Sequence, residues 1–167
     1  MTNQYHATPY DTSAVGFYFG TYEEYVERAA THTNEQGDHV EEYEIQFIDG
    51  DNYKLFDALN INQANLSQWF DDFENLEGED FIKALYLADD VRCSIDEVLG
   101  HMDDVSLFVG SALEYAEQFI EDTGMLDTMP ENLRYYFDTK AFARDMKLNG
   151  DITDLHIDGI SYIVWGV

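Results

Sequence analysis

The chain has 167 residues, with 35 aspartates and glutamates against 8 lysines and arginines and a formal net charge of -27. A balance this acidic excludes direct binding to nucleic acid and to anionic membranes, both of which it repels. Hydrophobic residues at 45% and aromatics at 15% exclude a disordered acidic tail. The charge is spread through segments able to fold. Between Glu23 and Asp127 lie 28 acids and 4 bases, but from Thr128 to Val167 only 6 acids and 4 bases.

Val15-Gly16-Phe17-Tyr18-Phe19 is β-branched and aromatic and predicts a strand. Thr21 then reads as the N-cap of a helix to about Thr31, with Glu24 reaching back in a capping box. After a polar loop from Asn34 to Asp38, Tyr43, Ile45 and Phe47 alternate with Glu44 and Gln46. That is the period of a half-buried strand, ended by the turn Asp49-Gly50. Asn60 to about Asp90 reads as helical, with Leu66, Trp69, Phe70 and Phe73 on one apolar face. Gly78 breaks the run, and Phe81, Ile82, Leu85 and Tyr86 resume it.

Ser94-Ile95-Asp96-Glu97 is a second capping box, and Val105 to Val109 a short strand. Ser111-Ala112-Leu113-Glu114 is a third box, opening a helix that ends at Gly124 and buries Leu113, Ala116, Phe119 and Ile120. On that helix Glu114, Glu117 and Glu121 form one exposed stripe, costing a few tenths of a kcal/mol per like-charged pair. Pro130 reads as the first turn of a helix, with Leu133, Tyr136 and Phe137 packed inward and Asp138 capping the next helix. Ile152 to Ile157, Asp158-Gly159 and Ile160 to Trp165 predict a β-hairpin. The switches between mixed and helical patterns divide the chain into residues 1–61, 62–103 and 104–167.

Catalytic signatures are missing. The five histidines show no metal-ligand spacing, so no metal or cofactor is expected. Asp49 to Asn60 departs from a calcium loop, since Lys54 stands where the glycine belongs and Asn60 where the bidentate glutamate belongs. There is no phosphate loop or nucleophile elbow, and carboxylate pairs are too common for one to stand out as an acid/base couple. The single Cys93 excludes an internal disulfide and fits a reducing compartment. With no apolar run of about 20 residues and no signal peptide at Met1 to His6, a cytoplasmic protein is expected. B-DNA carries one charge per ~1.7 Å, so 27 charges match about 46 Å of duplex. A surface of that density can compete for a groove built to hold DNA.

Pro130-Glu131-Asn132-Leu133-Arg134-Tyr135-Tyr136-Phe137-Asp138, followed by Ala141-Phe142-Ala143-Arg144-Asp145-Met146, resembles the C-terminal signature of the ArdA antirestriction proteins. The acidic helix from Ala112 to Gly124 and the acid-flanked Glu41-Glu42-Tyr43-Glu44-Ile45 fit the same layout. Two stretches depart from it, reading Gly16-Phe17-Tyr18-Phe19 for a Trp-Phe pair after glycine and Ile45-Gln46-Phe47-Ile48-Asp49 for Ile-His-Asp-Tyr-Glu. The resemblance implies an elongated α+β chain of three small domains (mixed α/β, helical, mixed α/β) with a highly acidic surface. It implies a homodimer, carried by mobile elements, that mimics bent DNA in the groove of type I restriction-modification enzymes and protects incoming DNA.

The expectation is therefore a non-enzymatic inhibitor whose carboxylates stand in for phosphates. Asp71, Asp72, Glu74, Glu79, Asp80, Asp89, Asp90, Glu114, Glu117, Glu121 and Asp122 are its expected contact acids. The alternatives are an acidic adaptor or inhibitor of another basic host protein or defence nuclease, and, third, a hydrolase using a carboxylate pair.

Overall fold

A computed structural model describes residues 2–167 as a mixed α/β protein. It divides into two compact units, one up to Leu99 and one from Gly100 to Val167. The first unit begins with β1 (Gln4–Pro9), β2 (Phe17–Phe19), α1 (Tyr22–Thr31) and β3 (Tyr43–Asp49). The strands form an antiparallel sheet in the order β2-β1-β3, with Tyr5 opposite both Phe19 and Phe47. Tyr5, Ala7, Phe19, Tyr43 and Ile45 are buried.

The cap of α1 is displaced by one residue from the expected box. Thr21 accepts from the Glu24 N–H at 3.2 Å, but the Glu24 carboxylate takes the Gly20 N–H at 2.8 Å. Gln63 serves the start of β3 as a neighbouring strand would, its Oε1 accepting from Tyr43 N at 2.9 Å and its Nε2 donating to Glu41 O at 2.8 Å.

The helical stretch differs from the sequence expectation. A short helix, α2 (Tyr53–Ala58), comes first, and the next, α3 (Leu66–Gln68), begins six residues later than Asn60. Asparagine side chains account for the delay by competing for backbone groups. Asn65 Oδ1 accepts from Asn62 N at 2.7 Å and Asn62 Oδ1 from Ala64 N at 2.8 Å. The helix α3 continues as a π turn, Trp69–Phe73, and α4 (Gly78–Leu85) continues as a second, Tyr86–Val91. Leu66, Trp69, Phe73, Ile82 and Leu85 are buried, as the apolar period requires. The division between the units falls within α5 (Ile95–His101), at whose start the Glu97 carboxylate accepts from Ser94 N and Ser94 Oγ, both at 2.7 Å.

The second unit holds β4 (Ser106–Val109), α6 (Ala112–Thr123), α7 (Glu131–Arg134), α8 (Thr139–Leu148), β5 (Thr153–Ile157) and β6 (Ile160–Trp165). Its antiparallel sheet has the order β4-β6-β5. Asp158 and Gly159 both take positive φ, as the expected hairpin turn requires. Ser111 and Glu114 form the complete capping box of α6, and Gly124 closes it at φ 61°. Ala116 of α6, Ala143 and Met146 of α8, and Ile152 and Ile163 form the core, with Phe108, Tyr115, Phe119, Phe142 and Trp165 around it.

Leu133 and Tyr136, expected to pack inward, do not. Leu133 is 49% exposed, Tyr136 78% and the adjacent Tyr135 88%. A four-residue α7 is too short to bury an apolar stripe. Phe137 alone turns in, half-buried, its ring 5.8 Å from Phe142.

The contrast is measurable in urea melts. Phe73→Ala should cost about 3–5 kcal/mol through the cavity it leaves. Val15→Ala, at a side chain 82% exposed in the first unit, should stay within about 0.5 kcal/mol.

A candidate acidic interface

Every aspartate and glutamate of the chain is exposed except Asp11, Glu74 and Asp154, which are half-buried. Lysines and arginines do little to mask them. Arg144 pairs with its neighbour Asp145, Lys147 with Asp154, and Arg92 with Asp89 at 3.5 Å. Arg134 is turned back on its own chain, donating to Met129 O at 3.0 Å and Asp127 O at 2.8 Å.

The contact acids expected from sequence fall in both units. In the first, Asp71 and Asp72 stand exposed on the π turn Trp69–Phe73, with Ser67 Oγ donating to Asp71 at 3.2 Å. Glu79 and Asp80 are exposed in the first turn of α4, where the positive end of the helix dipole favours carboxylates. Asp89 and Asp90 are exposed on the second π turn. The Asp90 carboxyl is held above its ordinary range by the packing around it and then by Asp89 beside it, with Arg92 opposing.

In the second unit Glu114, Glu117, Glu121 and Asp122 are all exposed along α6. Glu114 carries a structural load as well. The Ser111 N–H, followed by the Ser111 hydroxyl, lowers its pKa, so this carboxylate contributes stability above the ordinary carboxylate range and loses it on acidification. Asp122 accepts from Gln118 Nε2 at 3.3 Å.

Glu74 differs from the other ten. It is half-buried, and Tyr5 OH donates to its Oε1 at 3.0 Å, with Asn3 Nδ2 adding a longer bond at 3.4 Å. Burial raises its pKa, and the two donors only partly offset that. Its Oε1 is engaged by these two side chains, unlike the open carboxylates of the other ten.

Exposure alone does not single out the rest, since Glu23, Glu27, Glu41, Glu42 and Glu44 are as open. Sequence reasoning also missed Tyr5, the group that engages Glu74. The signal for it was the alternation of Tyr5 and Ala7 with polar neighbours ahead of Pro9. Among the described residues no three His, Cys, Asp or Glu side chains converge to hold a metal ion. Among them, too, no helix is long and apolar enough to cross a membrane.

A family model described as antirestriction protein (ArdA) matches residues 18–159. No curated protein matches the chain. The match spans most of both units, and the chain belongs to the ArdA antirestriction family.

The raised Glu74 pKa carries a sign. A carboxyl easier to protonate when folded favours the fold at low pH, and that contribution is lost as pH rises through its folded pKa. Glu74→Gln keeps an acceptor for Tyr5 and removes the charge. The variant should therefore resist urea better than the native chain at pH 7, by less than a core truncation costs. The gap should close on acidification through the carboxylate range, whereas a widening gap would contradict the burial.

Proposed function

We propose that this member of the ArdA family is a non-enzymatic DNA mimic. It occupies the DNA-binding groove of type I restriction-modification enzymes, in the cytoplasm and as a homodimer, and so blocks their action on incoming DNA. The observation that carries this reading is the near-complete exposure of the acids on an ordered fold. A groove that binds duplex is lined with cations spaced for phosphates, and release of the counterions condensed on the DNA drives much of that affinity. Ordered carboxylates meet those cations without the freedom that a disordered acidic tail would lose on binding.

Contacts of this kind are many and individually modest, so no single acid should dominate. The proposed contact acids are Asp71, Asp72, Glu79, Asp80, Asp89 and Asp90 of the first unit and, as a separate set, Glu114, Glu117, Glu121 and Asp122 of the second. We leave Glu74, half-buried and engaged by Tyr5, out of the contact acids.

The dimer contact is assigned to the C-terminal quarter. Two chains at -27 repel strongly, and the segment from Thr128 onward, with 6 acids and 4 bases, is where they can approach. Leu133, Tyr135 and Tyr136 supply exposed apolar area there.

Purified protein added to a type I enzyme on labelled target DNA should displace the DNA near stoichiometric ratio, and less well at high salt. DNA that stays bound at both salt concentrations would refute the reading. Neutralising one acid should weaken displacement a few-fold, since an exposed charge pair is worth about 1 kcal/mol or less. Neutralising Glu114, Glu117, Glu121 and Asp122 together should weaken it at least about tenfold. For the dimer, truncation would strip Ala143, Met146, Ile152 and Ile163 from the core, so substitution is the cleaner route. A chain carrying Tyr135→Asp and Tyr136→Asp should sediment as a folded monomer. One that remains dimeric rules out this contact.

A further inference from the structure

One buried oxygen atom bonds the residues at both ends of the π turn Trp69–Phe73. A π turn bonds residues five apart, and here Glu74 N donates to Trp69 O at 2.8 Å. The side chains of those same two residues meet again at Tyr5. Trp69 Nε1 donates to Tyr5 OH at 2.8 Å, and Tyr5 OH donates to Glu74 Oε1 at 3.0 Å. The phenol thus joins the first residue of the turn to the residue that follows it, using both its acceptor and its donor.

Tyr5 is well placed for this. It is fully buried on the central strand β1, paired with Phe19 and Phe47. Its ring lies 5.4 Å from Phe19, 5.2 Å from Phe47, 5.8 Å from Phe56 and 5.1 Å from Phe70. A ring so enclosed makes its hydroxyl a fixed point. From the other side Asn52 Nδ2 grips Glu74 O at 3.1 Å and Leu76 O at 2.9 Å.

The turn has a competing register. In an α-helix Glu74 N would bond Phe70 O, one residue closer in sequence, and side chains across the change would rotate by about 100°. Trp69 and Phe73 are buried, while Asp71 and Asp72 between them are exposed. The register therefore decides in which direction the two carboxylates point.

We infer that Tyr5 is a positioning residue whose hydroxyl locks this π register and thereby fixes where Asp71 and Asp72 stand on the surface offered to the restriction enzyme. The inference rests on the reading of Asp71 and Asp72 as contact acids. Tyr5 touches no partner in it, and lies ahead of the segment matched by the family model.

A double-mutant cycle on the full chain tests it, with displacement of DNA from a type I enzyme as the readout. Tyr5→Phe removes the hydroxyl and keeps the ring. Alone it should weaken displacement about three- to tenfold, close to the effect of Asp71→Asn with Asp72→Asn. Added to that pair it should cause almost no further loss. Without the hydroxyl the turn should move between the π and α registers, so amide exchange at Glu74 should accelerate as its N–H leaves Trp69 O to change partner, while protection at Ile45 and Leu55 persists.

Equal losses in both backgrounds would mean that Tyr5 acts through stability alone, and would overturn the inference. So would an undiminished Tyr5→Phe, unchanged exchange at Glu74, or an Asp71/Asp72 pair whose neutralisation costs nothing. If the native chain itself fails to displace DNA, the functional reading falls first and the inference with it. That result is distinct from additivity in a protein that inhibits.

Discussion

Charge repulsion is the constraint on which the rest of this structure depends. A chain with a net charge of -27 has to be held together by contacts that use almost no charge, since its 8 bases cannot neutralise 35 acids. Burial of rings meets the requirement. Tyr5, Phe19, Tyr25, Tyr43, Phe56, Trp69, Phe73 and Tyr86 are buried in the first unit, and each phenylalanine among them stabilises the fold by roughly 1.5–3 kcal/mol. Exposed like charges at helical spacing cost only a few tenths of a kcal/mol each, and salt screens them further. Apolar burial wins term by term, provided that the acids stay outside the core.

The acids also stabilise the backbone where they can. Glu24, Glu97, Glu114 and Asp138 accept backbone N–H groups at the start of α1, α5, α6 and α8. Asp11 does the same for Ser13 in a turn, its pKa lowered chiefly by the Asn34 amide and then by Ser13. A carboxylate at a helix N-terminus satisfies an orphan donor and meets the positive end of the dipole. These positions let a sequence gain negative charge and helix stability together. Arg92, Arg144 and Lys147 each pair with one acid and Arg134 binds carbonyls, and 8 bases against 35 acids leave the net charge at -27.

What could be read from the sequence was what is settled locally. Capping residues, the glycine stop of α6, the Asp158-Gly159 turn and the alternation of β3 each depend on neighbours a few residues away. What could not be read depends on contacts between distant residues. The strand β1 is short and its apolar residues are only Tyr5 and Ala7, so its central place appears only once β2 and β3 flank it. The π turns carry no local signal, and the side-chain bond from Trp69 of the first to Tyr5 spans 64 positions. Glu74 reads as one more surface acid among Asp71, Asp72 and Glu79, and only the placement of Tyr5 and Asn3 shows that its carboxylate is engaged. Tyr136 erred the other way, because an aromatic residue at helical spacing is buried only if its helix is long enough to present a face.

A surface made of many equivalent carboxylates tolerates the loss of any one of them, and tolerance of that kind has a structural condition. Exposed acids are interchangeable only while the backbone beneath them keeps its geometry, since a cation-lined groove reads spacing and direction as well as charge. Geometry here is set by a few buried polar atoms among rings, and such atoms cannot be exchanged or lost cheaply. Sensitivity to mutation and contact with the partner should therefore fall on different residues. In the proposed inhibitor, a buried hydroxyl away from the enzyme matters more to recognition than any single contact carboxylate.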